Sequence, residues 1–264
     1  MSWIGRVVRT LTCHSWVVLR ILNSALRMLR WSFACVVVVG CARQPLAIPL
    51  VSPLLPPPKP SVLFREPFDQ LDPSRWKEVE VRDRTHYTLE GQEYAGSLKA
   101  HSRAGASILL CPVRFDPDTY EWLSWRWRVD RLVDGEDLTR KDGSDAAARV
   151  YVYFDTTGLP WEKRSLDYVW SANLPVGTIM SSAYARHSKI IVVESGSEHL
   201  GTWRTVSRDI EEDYKRCFGE DPSDVVAIGL MVDTDNTRSE AIAYFDDVMI
   251  TRGKPPAPSP ARAP

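Results

Sequence analysis

Polar side chains that can hold a sugar alternate with apolar residues in three segments of the chain. The alternation sends the polar members to one face of each strand, because successive side chains of a strand point to opposite sides. Aromatic rings stack on sugar faces, and arginine and aspartate hydrogen-bond to hydroxyl or carboxylate groups. If the segments are neighbours in one sheet, the predicted saccharide-binding surface consists of Arg126, Arg128, Arg149, Tyr151, Tyr153 and Asp233, joined by Tyr168, Trp170 and Glu194.

A second interpretation of the same residues is an ordinary solvated sheet face whose arginines pair with nearby acids. Both interpretations place Arg149 and Tyr151 at the surface. Replacing these two residues by alanine is therefore expected to remove ligand binding and to leave thermal unfolding nearly unchanged.

A third interpretation is a carbohydrate-active enzyme. Glu194 and Asp233 would be the acid and the carboxylate of a glycosidase. A polysaccharide lyase would instead need a cation beside a uronate carboxylate and a base for the α-proton. The residues for this lyase chemistry are Arg126 or Arg149 for the carboxylate and Tyr151 or Tyr168 for the proton. The sequence contains no G-x-S-x-G, Walker, H-E-x-x-H or C-x-x-C motif, which favours a module without catalytic activity.

The elements that must position these residues are mostly β-strands. Segments rich in Val, Ile, Tyr, Phe and Trp are separated by Gly, Pro, Asp or Ser, which predicts strands. One helix is predicted over 207–218, with Ser207 as its cap and Gly219 as its end. Many strands with one short helix indicate an all-β fold, a jelly-roll-like β-sandwich. The predicted strands are 62–65, 86–90, 94–100, 106–113, 121–129, 147–155, 189–195, 225–235 and 240–250.

Alternation within these strands assigns the core. Trp125 and Trp127 are expected to face inward, with Arg126 and Arg128 on the opposite side. In the later strand the inward residues are expected to be Val226, Ile228, Leu230 and Val232.

The start of the chain has the pattern of a bacterial lipoprotein signal. Five arginines and no acidic residue precede an apolar run, 31–40, that ends at Cys41. Ten residues are too few to span a bilayer, which needs about 20. We expect lipidation at Cys41 and a membrane anchor, with Ala42 favouring the outer membrane on its periplasmic side. The alternative is a buried strand that ends in an ordinary cysteine.

Composition divides the rest of the chain. The expected organisation is a signal segment over 1–40, a Pro-rich tether over 41–60, a β-sandwich domain over 61–252 and a disordered Pro-rich tail over 253–264. The formal net charge of −1 becomes −6 once the five leader arginines are removed, and no basic stripe is present, so nucleic acid is not an expected partner. Cys111 and Cys217 form one disulfide or remain thiols.

Six short segments of the predicted domain carry distinctive motifs, namely 125–127, 141–152, 168–170, 208–209, 213–214 and 233–237. Together these motifs resemble those of bacterial proteins that carry the domain of unknown function 3047, and the likeness covers most of residues 62–250. The resemblance implies a secreted or envelope β-sandwich with no assigned reaction. An envelope module that packs against another envelope protein is the remaining alternative for its function.

A looser resemblance links the two ends of the predicted domain to jelly-roll carbohydrate-binding modules and lectin-like sandwiches, whose first and last strands often share a structural calcium ion. Glu66, Asp69, Asp246 and Asp247 would supply the hard oxygen ligands that Ca²⁺ prefers. The alternative is that the two aspartates of the last strand only interrupt it. No other cofactor is expected.

Overall fold

The structure is a computed structural model that describes residues 61–92, 95–156 and 163–255. The predicted signal segment 1–40, Cys41, the tether 41–60 and most of the tail lie outside the described residues. Among the helices of the described residues, none is long and apolar enough to cross a membrane.

Two sheets form the domain, as the strand pattern predicts. Within the described residues, sheet A consists of six strands, β1 (Ser61–Glu66), β3 (His86–Gln92), β4 (Ala95–Arg103), β6 (Trp122–Arg131), β11 (Arg204–Asp209) and β13 (Glu240–Arg252). Their order is β11-β6-β13-β4-β3, and β1 pairs with the second half of β13. All pairings in sheet A are antiparallel.

Sheet B has seven strands in the described chain, namely β2 (Lys77–Arg82), β5 (Ala106–Phe115), β7 (Ala148–Phe154), β8 (Ser165–Ser171), β9 (Ile179–Ser181), β10 (Ser188–Ser195) and β12 (Val225–Asp233). Their order is β2-β5-β12-β7-β8-β10-β9, with β8 and β10 parallel. The all-β, jelly-roll-like sandwich predicted from the sequence is therefore confirmed.

The core lies between the sheets, and its largest fully buried side chains are aromatic rings. Trp125 and Trp127 of β6 are fully buried, as the alternation predicts. Trp125 contacts Tyr168 of β8 at a centroid distance of 5.4 Å, and Trp127 contacts Trp170 at 5.9 Å. These contacts join sheet A to sheet B, and burying such large rings is a main source of core stability.

A β-bulge changes the predicted phase of β12. The register shifts between Val225 and Ala227, because the bulge adds a residue to one strand of the pair. Val225 is therefore the core residue, while Val226 is only half-buried. The predicted inward positions of Ile228, Leu230 and Val232 are confirmed, and that of Val226 is wrong.

The helix α1 spans Ile210–Phe218 and begins later than predicted. Ser207 belongs to β11, where it pairs with Ser124. The cap is Asp209, whose carboxylate accepts a hydrogen bond from the backbone N–H of Glu212 at 2.9 Å. Gly219 ends the helix with a φ of 74°, as predicted. Cys111 and Cys217 are both free thiols in the structure.

Candidate functional site

A cleft of about 450 Å³ lies on the outer face of sheet B. Its floor is set by strand register, since Ile108 of β5 lies opposite Met231 of β12, and Met231 lies opposite Arg149 of β7. The loop before β7 and the turn between β9 and β10 contribute the walls. The lining residues are Val81, Ile108, Ser144, Arg149, Tyr151, Tyr153, Lys163, Ser165, Ser182, Tyr184, Ala185, Ser188, Met231, Asp233, Asp235 and Asn236.

Two tyrosines form a stacked pair in this cleft. The rings of Tyr151 and Tyr153 have centroids 5.5 Å apart and an interplanar angle of 16°, and both side chains are half-buried. Gly229 of β12 makes room for them. A Cβ at this position would lie 3.0 Å from Cγ2 of Ile108 and 3.5 Å from the ring of Tyr153, so a larger residue would displace its neighbours.

A buried arginine occupies the polar end of the cleft. Arg149 is only 3% exposed, and its guanidinium donates from each of its three nitrogens. Nε donates to Asp233 at 2.8 Å, Nη1 donates to Asp167 at 2.5 Å, and Nη2 donates to the carbonyl oxygen of Ser144 at 3.0 Å. The arginine predicted to be at the surface is thus buried, because two carboxylates and a carbonyl replace its water. The expectation that its removal leaves stability unchanged is not supported.

The single positive charge of Arg149 faces two carboxylates, those of Asp167 and Asp233. One guanidinium lies between two buried carboxylates, and desolvation disfavours their charged forms. Burial raises the pKa of Asp233 to about 7, an effect that Arg149 opposes and the nearby Asp145 carboxylate reinforces. Burial also raises the pKa of Asp167 above its usual range. When one of the two carboxyl groups is protonated, the remaining carboxylate and the guanidinium of Arg149 form an ion pair with no net charge.

Arg126 and Arg128 do not join this cleft. They lie on β6 in sheet A, whereas β7 and β12 belong to sheet B, so the predicted single surface does not form. Both guanidinium groups lie over the ring of Trp203, at 5.0 Å and 5.6 Å, and Arg128 also lies 4.0 Å from the centroid of Tyr244. Arg126 pairs with Asp246 at 3.2 Å. These arginines therefore cover the ring of Trp203, which precedes β11, and Arg128 also covers the ring of Tyr244 on β13.

Tyr168 and Trp170 do not line the cleft either, since both are fully buried in the core. The hydroxyl of Tyr168 donates to Asp213 at 2.9 Å, and Nε1 of Trp170 donates to the carbonyl of Gly196 at 3.1 Å. The alternation in β8 has the opposite phase from the predicted one, and Asp167 points to the cleft side with Arg149. The apolar and aromatic character of positions 166, 168 and 170 is the signal that would have assigned them to the core.

Glu194 lies in a different place. Its carboxylate accepts from Nε of Arg204 at 2.9 Å and bonds to Nδ1 of His199 at 3.2 Å. It lines a smaller cavity of about 260 Å³, beside residues of β11, while Asp233 lines the cleft on sheet B. The structure therefore does not bring Glu194 and Asp233 together as a glycosidase pair.

The four carboxylates predicted to bind calcium lie near the paired strands β1 and β13, as that prediction required, but they do not form a close cluster. No three of them have oxygen atoms within 4.8 Å of one another. Glu66 accepts from Nε1 of Trp76 at 3.0 Å, and Asp69 accepts from the backbone N–H of Gly96 at 3.2 Å. Asp246 pairs with Arg126, and Asp247 pairs with Arg65 at 2.9 Å. Calcium binding by this set stays a prediction.

Within the described residues, a different set of carboxylates does form a close cluster. It consists of Asp145, Asp233 and Asp235, whose oxygen atoms lie within 4.8 Å of one another. Asp145 already accepts hydrogen bonds from the backbone N–H groups of Asn236 and Thr237. Asp233 faces Arg149, whose positive charge would repel a cation at the same carboxylate. These contacts show that the cluster attaches the loop after β12 to the loop before β7.

The predicted site lacked Asp167, which holds Arg149, and several residues of the cleft lining, among them Tyr184 and Ser188. Asp167 was hidden by the wrong phase of β8. Tyr184 is 55% exposed on the turn between β9 and β10, and its hydroxyl bonds to Asn236. Ser188 begins β10 and lies beside Ser165 in the parallel register. The contacts of Tyr184 and Ser188 depend on a turn and a parallel pairing that no local pattern announces.

The family model described as protein of unknown function DUF3047 matches residues 74–249. No curated protein matches the sequence significantly. Among solved structures, the family 30 carbohydrate-binding module of a Clostridium thermocellum cellulosomal cellulase is similar at 12% identity, covering 66% of this chain and 90% of that one, with a TM-score of 0.39.

Two further similar structures have comparable values. The xyloglucanase domain of NopAA from Sinorhizobium fredii has 10% identity and a TM-score of 0.39, covering 67% of this chain and 93% of that one. The xylan-binding domain CBM22-1 of Xyn10C from Paenibacillus barcinonensis has 12% identity and a TM-score of 0.35, covering 75% of this chain and 98% of that one. Likeness at this level assigns no activity.

Replacing Arg149 by methionine tests the buried ion pairs. The change leaves Asp167 and Asp233 buried without a cation, and we expect a loss of about 3–5 kcal/mol in the free energy of unfolding at pH 7. Urea unfolding measures it. The control is Arg140→Met, which removes a pair with Asp142 that is mostly exposed, and it should change stability by less than about 1 kcal/mol. Equal effects of both changes would contradict the burial of Arg149.

The raised pKa of Asp233 predicts a pH dependence. Between its ordinary value of 3.8 and about 7, the native state binds more protons than the unfolded state, so the stability contributed by this group falls as pH rises through that window. In Asp233→Asn, the free energy of unfolding should decrease less between about pH 4 and pH 7 than in the wild type, and near pH 5 the two proteins should be about equally stable. Urea unfolding at a series of pH values measures this. The control is Asp142→Asn. Because Arg140 lowers the pKa of Asp142, that group does not titrate between 3.8 and about 7, and the control should keep the wild-type dependence of the unfolding free energy on pH. An unchanged slope in Asp233→Asn would refute the assignment.

Proposed function

The chain belongs to the DUF3047 family of proteins of unknown function. We propose that this protein is a non-catalytic module that binds a saccharide on the outer face of sheet B. The stacked pair of Tyr151 and Tyr153 in a cleft of about 450 Å³ carries this proposal. Small-molecule sites are concave, and they combine aromatic walls with a few polar groups. The cleft has both, because Tyr184, Asn236 and Asp233 surround the ring pair.

Binding without catalysis is favoured by the way the charged groups are used. A lyase needs a cation that can meet a uronate carboxylate, and Arg149 already donates to Asp167, Asp233 and Ser144. A glycosidase needs two carboxyls across the scissile bond. Glu194, the predicted partner of Asp233, lines another cavity.

The location that we propose is the bacterial cell envelope. The apolar run before Cys41 and the arginines that precede it support an exported lipoprotein anchored through that cysteine. The Pro-rich segment after it would hold the domain away from the membrane surface. A sugar-binding domain on such a tether would meet glycans of the periplasm.

Alanine at Tyr151 or Tyr153 tests the binding role. Each change removes a stacking surface and should weaken retention on the bound polysaccharide by about tenfold, whereas Tyr151→Phe and Tyr153→Phe keep the rings and should bind within a few-fold of wild type. Affinity electrophoresis against neutral and acidic polysaccharides measures retention, with thermal unfolding as the check on folding. Retention that survives both alanine changes would place binding elsewhere. New reducing ends or unsaturated products would instead indicate the enzyme.

The membrane anchor has its own test. Cys41→Ala should abolish metabolic palmitate labelling and release the protein from the membrane fraction. Cys35→Ala removes a thiol six positions earlier, inside the predicted leader, and should leave labelling intact. Palmitate that persists in Cys41→Ala would contradict the lipoprotein assignment.

A further inference from the structure

A serine hydroxyl in the cleft lacks a partner. Ser188 is 4% exposed, it lines the cleft, and its Oγ has no hydrogen-bond partner among the described residues. A buried hydroxyl without a partner is unfavourable, because it has lost its water without gaining another bond. A hydroxyl can both donate and accept, so the group that suits Ser188 is another hydroxyl, such as that of a sugar.

The cations of the cleft are already paired. Arg149 is held by Asp167 and Asp233. Lys163 donates to Asp155 at 2.9 Å. These two are the cations among the described lining residues, so a ligand carboxylate that entered the cleft would find each positive charge already neutralised.

Carboxylates are in excess on the same face. Asp233 and Asp235 line the cleft, and Asp145 lies within 4.8 Å of both through its carboxylate oxygens. Arg82 approaches Asp235 at 3.7 Å, but its own side chain is 65% exposed. An anionic sugar would therefore meet net negative charge in a partly desolvated site, which repels it.

We propose that this cleft selects an uncharged saccharide and discriminates against uronates, with Ser188 as a hydroxyl-binding residue. The proposal rests on the saccharide-binding function argued above and adds the chemical class of the ligand. The tyrosine rings and Met231 contact the apolar face of a pyranose, which neutral and acidic sugars share. The difference between the two classes comes from the excess of carboxylates.

Matched oligosaccharides test the charge selectivity. The full chain, purified in detergent, is titrated calorimetrically with neutral hexamers of the cello, xylo and manno series. The first two series are paired with the β-1,4-linked glucuronate hexamer and the third with the β-1,4-linked mannuronate hexamer, and each pair differs only at C6. A neutral hexamer is expected to bind, and its uronate partner should bind at least about tenfold more weakly at low salt. A uronate that binds as tightly as its neutral partner or more tightly, and is lost in Tyr151→Ala, would overturn the selectivity while the binding function stands. Absence of binding by every hexamer would overturn the binding function itself.

Ser188→Ala tests the hydroxyl. It should weaken binding of the neutral hexamer by roughly tenfold, the value of one hydrogen bond, with thermal unfolding unchanged. The matched control is Ser223→Ala, because Oγ of Ser223 is also buried without a hydrogen-bond partner among the described residues but lines a different cleft beside Glu220. An affinity that Ser188→Ala leaves unchanged would remove this residue from the site.

Discussion

One guanidinium shared by two buried carboxylates organises the outer face of sheet B. Arg149 extends from β7 and joins Asp167 on β8, Asp233 at the end of β12 and the carbonyl of Ser144 in the preceding loop. Burying these charges is unfavourable by itself, and only the mutual pairing and the carbonyl make the arrangement stable. Strands β7, β8 and β12 and the loop before β7 are therefore held together by a single side chain, which defines the polar end of the cleft.

The rest of the cleft follows from strand geometry. Tyr151 and Tyr153 are two and four positions beyond Arg149, so alternation places all three on the same face. Their rings need a shallow floor, and Gly229 on the neighbouring strand provides it. Strand β7 thus supplies both the arginine at the polar end of the cleft and the two rings at its aromatic end, and a change that moves β7 would alter both ends.

The sequence predicts what depends on local alternation and misses what depends on strand partners. Trp125 and Trp127 were assigned correctly because burial alternates within a single strand. Arg126 and Arg149 were grouped wrongly, because sheet membership is decided by long-range pairing that similar strand patterns do not encode. The bulge in β12 and the phase of β8 are further cases. The bulge puts Val225 instead of Val226 in the core and leaves the assignment of the later residues intact. In β8 the predicted pattern is off by one residue, which exchanges the two faces of the strand.

The excess of acid over base around Arg149 connects the pH dependence of stability to the proposed ligand selectivity. Asp233 has a pKa of about 7 because its burial is only partly compensated by the arginine it shares with Asp167. A cleft that cannot fully neutralise its own carboxylates has no positive charge left for those of a ligand. Under the proposed binding function, the same imbalance that makes the native state sensitive to pH would also select against a charged ligand, and a second arginine near Asp233 would be expected to relax both properties together.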